Sequence, residues 1–548
     1  MSDGQAAPGG PRPRPHRIVL LAALTGAVTG LGVAGFERLV GDQLYRSVRS
    51  APVWVQAVAP LLGLLVAAAC LRWLAGGASP ATTETYIRSF HERDRAFDLR
   101  PVLGRLLASI ATLGGGVPLG YEGPAIYLGA AVGAVVRRRT ARWLTADDAK
   151  LLLAAGAAAG VAAIFKAPAT GALFAVEVPY QADLARRMLF PALIGAAVSY
   201  LTYVSLVDVS PLLRVAGSPR FDLADLGGAA VLGLAAGIGA RGFVWLMHRA
   251  ERVQHRWGGF RLALIGGVAL GAGALLAHHV FHQPLLLGPG YEAITWAIDP
   301  SRAVGLVVVL LLLRAVATAV ATGSGGVGGM FVPLTVEGAL LGRLVGSALG
   351  RSGSSLFPIV GVAAFLGAGY RVPLASIMFV AESTGRPGFV VPALIAGVVA
   401  QLVMDGSSLS RWQRSRRGGV LTRQRSVPVS AAVEADVGRI GPDATVHEAF
   451  WSACGNRHRL VAVVAEGRYL GLAGLDDLLA VDRERWDDVA VRDAMRVDTP
   501  TVGLEWTVGR ALDLMESIGN DALPVLDGTD FVGVLAKADV LDAEDGAH

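Results

Sequence analysis

Glu122 is the residue whose surroundings first indicate chemistry. It lies in the segment LGYEGPAIYLGA (residues 119–130), between Gly120 and Gly123 and close to Pro124, with apolar segments on both sides. A glycine-rich turn that opens a helix presents unpaired backbone N–H groups, and the helix dipole adds partial positive charge there. Such an end attracts anions. Glu122 therefore either caps its own helix or is a tethered carboxylate that competes with an anion for this place.

A second glycine-rich break, GGMFVP (328–333), also ends in proline. The chain also contains an internal repeat. FKAPATGALFAVEV (165–178) matches YRVPLASIMFVAES (370–383) at a constant offset of 205 residues. The repeat predicts two halves that are built alike, each with one break. If both breaks converge near the middle of the membrane, they form an anion site without a full positive charge, and such a site lets the anion leave again.

The composition predicts that a membrane positions these breaks. The chain is 53% hydrophobic and only 17% charged, whereas soluble domains are about a quarter charged. Apolar runs approach the roughly 20 residues that a spanning helix needs; they are 18–36, 57–71, 191–208, 225–247, 262–281 and 303–322. Shorter apolar pieces are broken by Gly and Pro, namely 123–136, 151–164, 167–178, 330–350 and 358–382. Broken helices at membrane depth line a site or a cavity, which predicts a transport protein.

The two ends of the membrane part are basic. Residues 1–17 are rich in Pro, Gly and Arg and are typical of a disordered tail rather than a cleaved signal. The run RWQRSRRGGVLTRQR (411–425) follows the last span, and residues 413–426 are predicted to be a linker. Both ends are expected on the cytoplasmic side. These basic segments account for the net charge of +5, so the charge does not indicate a nucleic-acid partner.

A disulfide between Cys70 and Cys454 is not expected.

A repeat also marks the polar tail. LVAVVAEGRYLGLAGLDDLLA (460–480) and ALPVLDGTDFVGVLAKADVL (522–541) each predict strand, turn, strand and helix. The tail resembles a tandem pair of CBS domains, 427–490 and 491–548, a module that often binds adenine nucleotides. Asp477 and Asp539 match the family's nucleotide-binding aspartates, but Gly474 and Ala536 replace its Ser or Thr. A nucleotide sensor and a purely structural, dimer-forming pair both remain open.

The membrane part, residues 18–412, resembles the CLC family of chloride channels and proton/chloride exchangers. Four motifs carry the resemblance in the family's order: GYEGP, FKAPATGALFAVE, GPGYEAI and GGMFVP. The resemblance implies an all-α polytopic fold with two inverted repeats and a C-terminal α/β tandem CBS domain. It also implies a homodimer in the cell membrane, one pathway per subunit for chloride and similar anions, and both termini in the cytosol.

The same resemblance assigns roles to residues. Glu122 matches the external gating glutamate, and protonation of its carboxylate would release it from the anion's place. The anion-binding residues carried over from the two breaks are Gly120, Tyr121 and Gly123, and Gly329, Met330, Phe331 and Val332. Tyr121 replaces the family's usual Arg or Lys, so a positive charge is missing near the entrance.

Three departures bear on mechanism. Val178 stands where proton-coupled members carry a second glutamate, which favours a passive channel over an exchanger. In GGASP (76–80), Gly77 stands at the position of the family's inner serine, and Ser410 or Leu409 stands where a tyrosine is expected. The two hydroxyl ligands are therefore expected to be missing, with weaker discrimination among chloride, nitrate and bromide, unless Ser79 or Ser410 restores one.

Other polar residues are assigned structural roles. Charged side chains in apolar segments should face protein or water; they are Glu177, Glu382, Glu337, Arg314 and Arg241. Lys166 and Arg371 occupy equivalent places in the two halves. His278 and His282 have a spacing that could bind zinc, but an interfacial role is expected for them, and no metal is predicted. No nucleophile and base pair or phosphate-binding motif indicates an enzyme.

Overall fold

The structure, a computed structural model, describes residues 15–91, 97–141, 148–207, 212, 213, 215, 221–414, 427–434, 437–456, 458–518 and 520–536. Most of the predicted tail at 1–17, most of the predicted linker at 413–426, and Asp539 lie outside these residues. The chain forms two compact units, one up to Arg417 and one from Gly418. Helices build the first unit, whereas the second combines helices with one β-sheet.

The first unit consists of two series of helices. The first series is α1 (Pro15–Glu37), α2 (Arg46–Ser50), α3 (Val53–Ala69), α4 (Thr82–His91), α5 (Val102–Gly114), α6 (Glu122–Arg139), α7 (Asp148–Phe165), α8 (Pro168–Glu177) and α9 (Leu189–Val204). The second is α10 (Leu223–Trp257), α11 (Phe260–Phe281), α12 (Tyr291–Ile298), α13 (Val304–Gly323), α14 (Phe331–Ala348), α15 (Leu356–Tyr370), α16 (Pro373–Thr384) and α17 (Val390–Met404). A π-helical stretch, Arg38–Tyr45, joins α1 to α2.

Eight helices within the described residues are long and apolar enough to cross a membrane. All six long apolar runs of the sequence coincide with one of them, which confirms those spans. The other two, Phe331–Ala348 and Pro387–Met404, were not predicted as full spans, because glycine and proline interrupt their apolar residues. The region 358–382 is divided between α15 and α16, with a turn at Arg371 and Val372.

The two halves of this unit are repeats with opposite orientation. The offset of 205 residues places the end of α7 at the end of α15, and the start of α8 at the start of α16. Glu177, at the end of α8, accepts hydrogen bonds from the first turn of α16, and Glu382, near the end of α16, accepts them from the first turn of α8. Each helix therefore ends where the other begins, so α8 and α16 run antiparallel.

Close helix packing in both halves depends on paired glycines. A Cβ added to Gly129 of α6 would overlap the carbonyl of Gly156 in α7, and the reverse also holds. In the second half, Gly338 of α14 and Gly361 of α15 stand in the same relation. Small residues let helices approach this closely in membranes. The packing holds α6 and α14 firmly at the centre, where the two breaks lie.

The tail unit contains a six-stranded sheet in the order β1-β2-β3-β6-β5-β4. The strands are β1 (Gly438–Ile440), β2 (Leu460–Ala465), β3 (Arg468–Gly474), β4 (Val502–Gly503), β5 (Ala522–Asp527) and β6 (Asp530–Ala536). Its helices are α18 (Val446–Cys454), α19 (Leu475–Leu479) and α20 (Val508–Ile518). In each half one parallel pair is followed by an antiparallel hairpin, and both hairpins shift register at the same place. The described strands thus repeat as the sequence predicted.

Candidate functional site

The two breaks are joined by their backbones. Gly120 N–H donates to the Gly329 carbonyl and Gly329 N–H donates to the Gly120 carbonyl, each over 2.8 Å. This antiparallel bridge brings the start of α6, at Glu122, next to the start of α14, at Phe331. Two helix N-termini from opposite halves therefore converge, as the sequence predicted. Their partial positive charges favour an anion at this point.

Glu122 itself lies at this convergence and is fully buried. Its Oε1 accepts the backbone N–H of Phe331 over 2.6 Å, and the amide of Val332 also interacts with the carboxylate. Oε2 has no hydrogen-bond partner among the described residues. The carboxylate bonds to the helix of the other half, which a residue that only caps its own helix would not do. The carboxylate therefore links the start of α6 to the start of α14.

An aromatic cluster fixes the second break. The Phe331 ring packs against Phe165, Phe174 and Phe379, with ring centroids 4.3, 5.6 and 4.9 Å away. Tyr370 meets Phe174 edge to face at 5.6 Å. Phe165 and Tyr370, like Phe174 and Phe379, are equivalent in the repeat. These ring contacts stabilise the start of α14, where the Phe331 amide donates to the Glu122 carboxylate.

Two cavities reach the breaks. The Thr83 cavity, about 240 Å³, is lined by Gly328, Gly329 and Met330 of the second break and by the first turn of α4. The Glu37 cavity, about 210 Å³, is lined by Tyr121 of the first break together with Glu37 and Tyr291. Glu122 lines neither cavity. It directly follows Tyr121, which lines the Glu37 cavity, and it accepts the N–H of Phe331, which directly follows Met330 of the Thr83 cavity. Each cavity is therefore lined by residues of one of the two breaks that meet at Glu122.

Three hydroxyl groups that sequence reasoning missed line the Thr83 cavity. Thr82 and Thr83 are buried, and within the described part of the chain neither Oγ1 atom has a partner with full hydrogen-bond geometry. The Thr82 hydroxyl lies against Gly123, and the Tyr370 phenol interacts with the Met330 N–H and with Thr83. The signals were present in the sequence: two threonines follow the GGASP turn, and Tyr370 opens the second copy of the repeat.

The residues that the sequence assigned to the inner site, Gly77, Ser79 and Ser410, lie in different surroundings. Gly77 is exposed, has a positive φ of 78°, and has open space beside it, so it does not reach the breaks. Ser79 lines the Thr83 cavity but is exposed. Ser410 lines the same cavity and is buried, but its Oγ accepts the Trp412 N–H and meets Glu84. The structure therefore brings hydroxyl groups from other positions, Thr82, Thr83 and Tyr370, to this cavity, and the loss of the two family hydroxyl ligands stays a prediction.

Val178 and Tyr121 lie where the sequence suggested. Val178 is fully buried just after α8, and its carbonyl accepts the side-chain amide of Gln413 over 2.8 Å. That amide also bonds to the Tyr370 carbonyl over 2.7 Å, so Gln413 joins three segments that sequence reasoning did not connect. The position of the family's second glutamate thus carries no titratable side chain. Tyr121 directs its buried ring into the Glu37 cavity.

The other intramembrane charges bind protein groups. Glu177 accepts the amides of Leu374 and Ala375, and Arg241 donates to the Val403 carbonyl. The Arg314 guanidinium is fully buried and donates to the carbonyls of Leu285, Gly288 and Pro289, with Glu337 nearby. Lys166 and Arg371 both adopt left-handed backbone at helix ends, with φ of 54° and 59°. These charges hold the frame around the site.

Two candidate ligand sites are occupied by protein contacts. His278 Nε2 lies 2.9 Å from Gln56 Oε1, and the described residues contain no cluster of three or more His, Cys, Asp or Glu side chains placed to hold a metal. In the tail, Asp477 Oδ2 accepts the Gly474 N–H over 2.8 Å and the Arg496 Nε–H over 2.7 Å. Asp477 therefore acts as a helix cap and ion-pair partner in this structure.

Comparison with known proteins agrees with this geometry. Over 407 aligned residues the chain is 29% identical to the "Putative chloride channel protein ClcB-like" of Ralstonia nicotianae, covering 69% of this chain and 91% of that protein. The fold is similar to that of a slow cyanobacterial Cl⁻/H⁺ antiporter (TM-score 0.63, 21% identity, covering 72% of this chain and 95% of the other). It is also similar to that of a eukaryotic CLC transporter (TM-score 0.63, 19% identity, covering 96% and 98%).

Family models match both units. The CBS domain model matches residues 491–546, and the model described as voltage gated chloride channel matches residues 62–405. The second match covers more than half of the chain. With its spanning helices, the chain is an integral membrane protein, and members of the matched family are transporters rather than enzymes. The chain belongs to the voltage gated chloride channel family.

Proposed function

We propose that the protein is a passive, Glu122-gated chloride channel of the CLC type. The observation that carries the proposal is the hydrogen bond from the Phe331 N–H to Glu122 Oε1. A carboxylate and a chloride ion compete for the same pair of helix ends, because both are stabilised by backbone N–H groups and helix dipoles. Protonation removes the charge of the carboxylate, and the neutral acid no longer holds the place against the anion.

The anion site that we propose combines both breaks. Backbone amides of Met330, Phe331 and Val332 face the anion from α14, and Gly120, Tyr121 and Gly123 shape the approach from α6. The hydroxyls of Thr82, Thr83 and Tyr370 complete it on the side of the Thr83 cavity. Neutral donors of this kind bind an anion strongly enough for selection and weakly enough for release. Chloride is the proposed substrate, with bromide and nitrate as competitors.

Val178 supports a channel over an exchanger. A coupled exchanger needs a titratable group that carries protons between Glu122 and the opposite solution. At the family position for such a group the side chain here is an isopropyl group, fully buried. The alternative is a chloride/proton antiporter with another proton route. Two solved structures with a similar fold, a Cl⁻/H⁺ antiporter and a fluoride/proton antiporter, support this alternative.

The reversal potential of the purified protein in planar bilayers separates the two functions. Symmetric chloride with a tenfold proton gradient should give a reversal potential at zero if the pathway conducts only anions. A reversal potential that follows the proton gradient in a fixed ratio would make the protein an antiporter. Absence of any anion current in a protein that is folded and dimeric would reject both readings.

The assembly and the tail belong to the same proposal. We expect a homodimer with one pathway in each subunit and with both termini in the cytoplasm.

In the tail, residues 427–490 and 491–548 are the proposed pair of CBS domains. The contacts of Asp477 with Gly474 and Arg496 support a structural pair, whereas an adenine nucleotide would have to displace Arg496 to reach that carboxylate.

A further inference from the structure

Two carboxylates line the Thr83 cavity, although this cavity leads to a site suited to anions. Glu84 stands in the first turn of α4, directly after Thr83, and Glu251 projects from α10. The same cavity is lined by Gly329 and Met330 of the second break. When both carboxylates are charged they repel an anion that enters this confined space. The proposed chloride pathway therefore contains two negative charges that Glu122 does not explain.

Arg411 connects the two carboxylates. Its Nε lies 3.7 Å from Glu251 Oε2, and its backbone N–H interacts with the carboxylate of Glu84, which also meets the Ser410 hydroxyl. The guanidinium donates in addition to the His248 carbonyl over 3.3 Å. The two carboxylates are also close enough to repel each other electrostatically. Arg411 alone cannot neutralise both acids, and a proton bound by the pair would make the cavity less negative.

The cavity carries an independent sign of a ligand. The Oγ1 atom of Thr82 is buried, borders the same space as Glu84 and has no hydrogen-bond partner among the described residues. Buried hydroxyls are ordinarily hydrogen-bonded, and an anion or water in the cavity would supply the partner. Protons and anions would therefore meet within a single cavity.

Other charged groups also face the pair from each neighbouring element. They are Arg88 from α4, Arg105 from α5, Tyr370 from α15 and Arg411 from the segment after α17. From α10, besides Glu251, come His248 and His255. Arg105 donates to Thr85 and Arg88 lies over the Trp412 ring, and both contacts leave the positive charges beside the cavity. The charge state of the two acids therefore decides how strongly the positive potential of these arginines attracts an anion.

We propose that Glu84 and Glu251 form a proton-binding site that controls access of the anion to the Thr83 cavity. With both acids charged, the cavity attracts anions weakly, and a proton bound by the pair strengthens that attraction. The inference rests on the proposed anion pathway and adds a second pH response, separate from that of Glu122 and restricted to one side of the membrane.

Chloride currents in planar bilayers, with pH set independently on each side, test the proposal. In a background with Cys70→Ser and Cys454→Ser, the added change Ser79→Cys at the cavity mouth identifies the Thr83 side through block by an impermeant thiol reagent. Wild-type current should rise as the pH on that side falls, by up to about tenfold per pH unit for a single titrating carboxylate. Glu84→Gln and Glu251→Gln should each reduce this response to less than about twofold while the response through Glu122 remains.

Glu292→Gln is the matched control, because Glu292 lines the other cavity. It should leave the response on the Thr83 side unchanged. The proposal is overturned if either folded variant, Glu84→Gln or Glu251→Gln, keeps the wild-type response on that side. That result would leave the anion pathway intact, whereas a wild-type protein without anion current would reject the pathway itself.

Discussion

Glu122 combines the two properties that a gate needs, since it is bound by the other half of the protein and can lose its charge. Among the described residues, its carboxylate accepts the Phe331 N–H and interacts with the Val332 amide, so few contacts besides those with its own backbone hold it in place. An anion that takes over the Phe331 amide must displace the carboxylate, and protonation makes this displacement easier.

Glu122→Gln should therefore conduct at neutral pH as the wild type conducts in acid. The amide cannot carry the charge that competes with chloride, so current should stay equal or rise several-fold and should lose most of its dependence on pH. Currents in bilayers at pH 5 and pH 7.5 measure this. Unchanged pH dependence in the variant would mean that Glu122 only caps its helix.

Thr83→Val and Tyr370→Phe test the hydroxyls of the inner site. Each removes one hydroxyl group with little change in volume. A hydrogen bond to a charged group contributes about 1.5–3 kcal/mol, so the apparent affinity for chloride should fall about tenfold or more, and selectivity over nitrate should weaken. Competition between the two anions in flux assays measures both effects. Ser79→Ala, at the exposed mouth of the cavity, should change neither.

At the scale of elements, the exchange of glutamates between α8 and α16 joins the two halves. Glu382 accepts two backbone amides and the Thr170 hydroxyl, at 2.6–2.9 Å, whereas Glu177 accepts two amides, at 2.7 and 3.1 Å. A carboxylate at a helix N-terminus satisfies amides that have no partner within the helix. Each half therefore completes a helix of the other.

Glu177→Gln and Glu382→Gln should both destabilise the protein, the second more than the first. A neutral amide offers one acceptor oxygen where the carboxylate offers two, and lost hydrogen bonds to a charged group cost about 1–3 kcal/mol. Thermal unfolding in detergent should show a lower midpoint for both variants, with Glu382→Gln lower. Equal midpoints for wild type and both variants would contradict the structural role.

The sequence predicted these elements well where periodicity or repetition was strong. The constant offset of 205 residues made Glu177 and Glu382 equivalent in the two halves, and the two glycine-rich breaks, GYEGP and GGMFVP, were expected to converge. It did not predict the inner hydroxyls, because alignment of GGASP with a family turn placed a ligand at Gly77, whereas the chain continues through Pro80 and opens α4 at Thr82. Only the tertiary fold brings Tyr370 and Thr83 together.

For the whole molecule, the untested prediction is its orientation in the membrane. Cys454 is exposed at the end of α18 in the tail, and Cys70 lies at the end of α3 in a membrane span. If the tail is cytoplasmic, an impermeant maleimide should label Cys454 in inside-out vesicles but not in intact cells, since only the former expose that surface. Cys454→Ser should abolish the labelling, and labelling of intact cells would place the tail outside.

The exchanged caps of Glu177 and Glu382 also bear on how such a fold could begin. A chain of half this length, carrying one such glutamate and one such helix, could not satisfy its own helix end with that glutamate, because the two lie at opposite ends of the same short helix. It could do so only against a second copy lying upside down beside it. A half-length ancestor would therefore have had to insert into the membrane in both directions, and fusion into one chain would have fixed one copy in each.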